Sequence, residues 1–197
     1  SERASDPVAV DPRASDTVYL CATDEDGMMV SFIQSNFAGF GSGVVVPGTG
    51  VALQNRGSGF SLEPGHPNEL APGKRPFHTI IPGFLTRGGE AVGPFGVMGG
   101  HMQAQGHLQV ALHTIDSGLD PQTALGRPRW FWDAATGQVL VEDTAGPDAV
   151  AALRERGHDA VVAEHSGIFG RGQAIWRIPD GYVAGSEPRA DGVPMAW

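Results

Sequence analysis

The stretch "TVYLCATDEDGMMVSFIQS", residues 17–35, decides the fold class. A β-rich run from Thr17 meets a tight Asp26-Gly27 turn. A second run follows, carrying Met29, Val30, Phe32 and Ile33. Apolar runs on either side of Asp-Gly predict a β-hairpin of antiparallel strands. The carboxylates of "DEDG" then serve as turn residues rather than as a catalytic pair. Thr17 opens the first strand, and β-branched residues do so on propensity alone. A threonine is also a nucleophile when a base takes its proton. If it becomes the first residue of a chain, its own α-amino group, titrating near pH 8, is that base.

Upstream, "SERASDPVAVDPRASD" (1–16) holds two prolines, six charged residues and no sustained periodicity, so it reads as a tail or linker. The packed domain is expected over 17–197. Downstream, glycines 39, 41 and 43 form a loop whose backbone can approach another segment closely. Val44–Val46 and Val51–Gln54 flank "PGTG" as two short strands. A second hairpin is expected around Gly88-Gly89. Leu108, Ala111, Leu112 and Ile115 recur at helical spacing between Gln103 and Ser117, with Gly118 as the stop. "PDAVAALRERG" predicts another helix, ending at Gly157. Strands are expected at 139–141, 160–162 and 174–178. Hairpins interspersed with separate helices predict a layered α+β domain, not alternating βαβ units.

Composition narrows the function. The 197 residues are 41% apolar and 18% charged, with 29 Gly and 15 Pro, which places the chain among globular proteins able to bury a real core. The net charge of −9 and a single lysine, Lys74, leave no basic stripe for phosphates, so nucleic acid is not an expected partner. One cysteine, Cys21, gives no internal disulfide framework. No apolar run approaches the roughly 20 residues of a membrane span. A cytoplasmic location is the expectation, with periplasmic or secreted sites open if an upstream part carries a signal. "GFGSG" (39–43) lacks dinucleotide and P-loop spacing. His101, His107 and His113 are six apart and fall on different faces of a helix, so they read as polar helix surface rather than as one metal site.

Three stretches taken together, "DTVYLCATDEDGMMVSF" (16–32), "GFGSGVVVPGTGVALQN" (39–55) and "APGKRPFHTIIPGF…FGVMGG" (71–84, 95–100), resemble the small C-terminal subunit of the gamma-glutamyltransferase (gamma-glutamyltranspeptidase) family of N-terminal-nucleophile hydrolases. The likeness runs from about Thr17 to the closing "GSEPRADG" and is nearest to an acylase-like branch. It implies a four-layer αββα sandwich. It further implies a precursor that cuts itself at Asp16-Thr17, with Thr17 as nucleophile, Ser35 hydrogen-bonded to it, and Gly99 and Gly100 as oxyanion donors. The glycine pair also suits an ordinary turn before a helix.

The resemblance also marks departures. Where the family holds the substrate's α-ammonium group with an acidic residue, this sequence has Gly59, with Arg56 nearby. Two carboxylate-binding serines fall on His78 and Thr79, and an asparagine falls on Phe37, beside Asn36. Asn36, Arg56, His78 and Thr79 are therefore the candidate substrate-binding residues. Arg56 reads equally as a partner for an acidic acyl group or as a solvated surface side chain. The implied function is acyl transfer or hydrolysis of gamma-glutamyl or related amides, placing the chain in glutathione metabolism or beside it. No metal or organic cofactor is implied. The implied partners are a small-molecule amide and a large N-terminal subunit from the same precursor, giving a heterodimer. A non-catalytic relative serving as an assembly domain is the alternative, and it accounts for Gly59, His78 and Phe37 directly.

Overall fold

The computed structural model describes residues 15–197. Most of the expected 1–16 tail therefore lies outside the described residues, while residues 15 and 16 already belong to the first strand. The elements are β1 (Ser15–Thr23), β2 (Met29–Ala38), β3 (Gly83–Arg87), β4 (Glu90–Met98), α1 (Met102–Ile115), α2 (Pro121–Gly126), β5 (Trp130–Trp132), β6 (Val139–Val141), α3 (Pro147–Glu155), β7 (Ala160–Val162), β8 (Arg171–Ile178) and β9 (Gly181–Ser186). The class is α+β. Among the described residues no helix is long and apolar enough to cross a membrane.

The chain divides into two compact units. One holds Thr17 and Ser35–His78, the other Val18–Gln34 and Thr79–Trp197. In the second unit, β3-β4-β8-β9 form an antiparallel sheet. Its core is Phe95, Val97, Val110, Leu125, Ala174 and Trp176. Two glycines set the distance of the helices from this sheet. A Cβ on Gly106 of α1 would lie 2.8 Å from Val97 Cγ1, and one on Gly185 of β9 would lie 2.6 Å from the backbone of α2. The β1–β2 hairpin joins the same core through Tyr19. Its ring covers Gly96, and its hydroxyl meets Ser31 Oγ at 2.8 Å. Ser31 in turn donates to the Gly83 carbonyl.

β5-β6-β7 form a smaller sheet packed on α3 through Val139, Val141, Val150 and Ala160. Here β6 and β7 are parallel, joined through α3. This single βαβ crossover sits within an otherwise antiparallel arrangement of the described strand pairs, so the units do not alternate along the chain, as expected. Parallel neighbours need a crossover, and α3 supplies it. The strand expected at 174–178 begins at Arg171. β5, β9 and α2 were not foreseen, although α2 opens with a readable signal: Asp120 caps it, accepting the Thr123 N–H at 3.0 Å, and Pro121 follows.

Two further expectations are corrected. Val44–Val46 and Val51–Gln54 do not form strands and share one antiparallel bridge, Val45 with Ala52. Glycines 41, 43, 48 and 50 all hold positive φ around it, which confines any ladder. Helix α1 falls where expected but buries a different face, and of the expected residues only Ala111 packs against the core. Leu108, Leu112 and Ile115 are exposed, whereas Met102, Gln103, Gly106, His107, Gln109 and Val110 are buried. Each buried polar member makes at least one hydrogen bond, while Gln103 Nε2 and His107 Nε2 stay without one among the described residues. Gln103 Oε1 accepts from Ile81 N–H, and the Gln109 amide brackets the Trp130 backbone N–H and carbonyl. His107, expected on the surface, packs against Phe95 and meets the Gln103 carbonyl through Nδ1. Burial lowers its pKa.

Candidate active site

Thr17 lies in β1 two residues after its start, and Ser35 lies near the end of β2. Thr17 Oγ1 donates to Ser35 Oγ at 2.9 Å, and the same serine oxygen accepts the Phe37 N–H at 2.9 Å. The bond directs the threonine proton towards Ser35 and fixes the Oγ1 position. With the Asp16-Thr17 peptide continuous, Thr17 is only 7% exposed, and its nitrogen is an amide with no basic lone pair. Held this way, the hydroxyl is positioned but not activated.

β2 ends on a strained residue. Phe37 has φ +81°, the one positive φ outside glycine among the described residues. Such a backbone costs about 1–3 kcal/mol and persists where neighbours over-determine it. Asn55 does this. Its Oδ1 accepts the Ala38 N–H at 3.0 Å, and its Nδ2 donates to the Ala38 and Gly41 carbonyls, each at 3.0 Å. Its own N–H reaches the Asn36 carbonyl at 3.1 Å. Gly41 permits the approach, since a Cβ there would lie 2.3 Å from the Leu53 carbonyl oxygen. The expected close approach of the glycine loop is thus to the 53–54 backbone.

This stapling sets Arg56, the next residue, over the Phe37 ring, with the guanidinium carbon 5.0 Å from the ring centroid. Arg56 is 5% exposed, which removes the solvated-surface alternative. Thr17, Ser35, Asn36 and Arg56 all belong to the first unit. His78, at the end of that unit, is exposed, and Gly59 lies in the short turn Arg56–Gly59. The roles of Phe37 and Asn55 escaped sequence reasoning. A backbone φ leaves no periodic signal, and an asparagine before a turn looks generic.

In the second unit, Gly99 and Gly100 stand between β4 and α1. Their carbonyls accept the Met102 and Gln103 N–H groups, opening the helix. A Cβ on Gly99 would lie 2.9 Å from Gly170 Cα, so packing alone requires glycine there. Gly100, at φ +60°, has nothing within 4 Å of its Cβ position. The pair thus meets the turn requirement and leaves open space beside Gly100. Thr79 is buried at 6% exposure.

Residues 2–197 match the gamma-glutamyltranspeptidase family. The oxamate amidohydrolase proenzyme of Klebsiella pneumoniae is 42% identical over 188 residues, covering 92% of this chain and 36% of that protein. Among solved structures, the cephalosporin acylase of Bacillus halodurans superposes with a TM-score of 0.86 at 58% identity, over 95% of this chain and 36% of that one. The gamma-glutamyltranspeptidase of Pseudomonas nitroreducens, complexed with L-DON, gives 0.78 at 27% identity, over 91% and 98%. The chain spans about a third of the length of the curated relatives it matches. These likenesses carry the expected α+β fold of the N-terminal-nucleophile αββα sandwich type. On the match over nearly its whole length, the chain belongs to the gamma-glutamyltranspeptidase family.

Proposed function

We propose that this chain is the nucleophile-bearing part of an amide hydrolase or acyltransferase that matures by cutting the Asp16-Thr17 bond. The observation that carries the reading is the 2.9 Å bond from Thr17 Oγ1 to Ser35 Oγ, on the strand pair where a new terminus would be made. Cutting converts the Thr17 amide into a primary amine, which supplies the missing base. It also frees the preceding strand residues to withdraw, which a substrate requires because Thr17 is 7% exposed while they are joined.

The chemistry follows from these groups. Thr17 Oγ1 attacks the amide carbonyl while the α-amine takes its proton, and Ser35 holds the hydroxyl in line. The Gly99 and Gly100 N–H groups stabilise the oxyanion that develops. The amine then protonates the leaving nitrogen, and water or an acceptor amine releases the acyl group from Thr17. Gamma-glutamyl or related amides are the substrate class. The remaining two thirds of the length of its relatives supports a large N-terminal subunit from the same precursor as partner. The proenzyme name of the oxamate amidohydrolase agrees with maturation by cleavage.

The test is the intact precursor carrying Thr17→Ala. The wild type should yield a species beginning at Thr17 by mass spectrometry and should turn over acyl anilides. The variant should stay uncut and lose at least about 10³-fold in kcat/KM, the scale for removing a catalytic nucleophile. A Thr17→Ala protein that is cut and active would refute the proposal. A folded, uncut and inactive wild type would favour the assembly-domain alternative.

A further inference from the structure

Gln103 lies in the first turn of α1, just after the Gly99-Gly100 turn, and is 0% exposed. An amide there is unfavourable, because its Nε2 has no hydrogen-bond partner among the described residues and a buried polar group left unmet opposes folding. Methionine would fill a similar space without that penalty. The amide's contribution is its other end. Gln103 Oε1 accepts the Ile81 N–H at 2.9 Å, while the Gln103 backbone N–H donates to the Gly100 carbonyl at 3.2 Å. His107, one helical turn on, supports the same contact. Its Nδ1 lies 2.6 Å from the Gln103 carbonyl, and since a carbonyl only accepts, Nδ1 carries the proton. The ring packs on Phe95 and against Gly83, where a Cβ would lie 3.2 Å from His107 Cδ2. Residues 81 and 83 are thus both held to one face of α1, and buried Thr79 stands two residues before Ile81. All of these residues belong to the larger unit.

Resting on the amidase reading above, we propose that Gln103 is a positioning residue, which registers the Thr79–Ile81 segment, bearing a candidate substrate-binding side chain, against the Gly99-Gly100 turn that bears the oxyanion donors. Fully buried, it acts through these neighbours and adds no covalent step. The two halves of the role are separable. The turn is set by backbone: the Gly99 carbonyl accepts the Met102 N–H at 3.1 Å, and in a planar trans peptide this points the Gly100 N–H the opposite way, out of the helix. The segment is set by the side chain alone, through Oε1. A side-chain substitution therefore releases Ile81 and leaves the oxyanion turn in place, which is the behaviour of a residue that aligns substrate rather than one that stabilises the transition state.

The intact, matured enzyme would be assayed with gamma-glutamyl-p-nitroanilide and glutaryl-p-nitroanilide. On the better donor, Gln103→Met should raise KM by about 3- to 10-fold, the range of one neutral hydrogen bond, with kcat close to that of the wild type. Its unfolding midpoint should hardly move, because removing the unpartnered nitrogen offsets the lost bond. Gln103→Glu keeps an acceptor for the Ile81 N–H and should stay nearer the wild-type KM than Gln103→Met does. An unchanged KM in Gln103→Met, or a fall in kcat and midpoint at constant KM, would overturn the assignment while leaving the amidase standing. Amide hydrogen exchange keeps the test open even if the variants fail to mature. In the wild type the Ile81 N–H should exchange far more slowly than that of exposed His78, and Gln103→Met in the uncut Thr17→Ala precursor should lose that protection; an unprotected wild-type Ile81 would also overturn the assignment. Turnover of no acyl anilide by a wild-type protein cut at Thr17 would instead refute the amidase reading and this assignment with it.

Discussion

The two units are held together by different physics. The larger one closes on apolar side chains, with Val97, Leu125 and Ala174 fully buried under α1 and α2, and on an ion-pair network of Arg129, Glu187, Arg189 and Glu142. The smaller one, Ser35–His78, has its loops bridged by the side chains of Asn55 and Asn68, a run of glycines at positive φ, and a buried arginine on a strained phenylalanine. The loop segment carries the costly local geometry, and loops are where binding groups often sit. The Gln103 contact aside, substitutions should therefore separate, with stability lost in the larger unit and turnover lost in the smaller.

The largest loss of stability is expected at Glu187. Its carboxylate takes Arg129 Nη2 at 2.8 Å, the Gly172 N–H at 2.7 Å and Arg189 Nη1 at 2.6 Å, and it is 1% exposed. Glu187→Ala leaves Arg129 buried with its charge uncompensated, a change worth about 3–5 kcal/mol. Denaturant unfolding of the intact precursor, followed by tryptophan fluorescence, checks this. A loss below about 1 kcal/mol, the level of an exposed pair, would show that the network does not bind the larger unit.

A smaller effect separates packing from propensity. Gly106→Ala improves helix propensity by about 1 kcal/mol. It also places a methyl 2.8 Å from Val97 Cγ1 and 3.1 Å from Val97 Cβ, and such overpacking costs about 1–3 kcal/mol. The net result should be destabilising, read as a lower denaturation midpoint. A raised midpoint would mean that α1 rides more loosely on β4 than the glycine implies.

The hairpins and the helices at 102–115 and 147–155 were legible because turn dipeptides, a 3.6-residue period and terminal glycines all act locally. The buried face of α1 was not. Gly106 and three hydrogen-bonded polar residues displaced the leucines from the core, and only tertiary partners such as Ile81 and Trp130 reveal that. The closing "GSEPRADG" drew notice through resemblance alone. Its physical basis is that Glu187 and Arg189 neutralise charges more than 40 residues away in sequence. In the site, Thr17 and Ser35 could be placed on facing strands of one hairpin. The relation of Phe37 to Arg56 depends on one backbone angle and one asparagine, and neither has a sequence period.

Asn55 offers the sharpest contrast between the units because its stability effect should be the smallest while its functional effect is not. Asn55→Ala removes three hydrogen bonds, to Ala38 N–H and to the Ala38 and Gly41 carbonyls, mostly at solvent-exposed positions. Water replaces exposed partners readily, so the loss in global stability should stay near about 1 kcal/mol. Phe37, no longer held at φ +81°, would relax towards ordinary backbone and carry its ring from beneath Arg56. Because the Phe37 N–H shares Ser35 Oγ with the Thr17 hydroxyl, turnover by the matured protein should then fall with little change in unfolding midpoint, and Asn55→Asp, which keeps only the acceptor, should fall between. If Asn55→Ala instead lowers stability as much as Glu187→Ala and leaves turnover intact, the loop unit is structural and the division between scaffold and site is wrong.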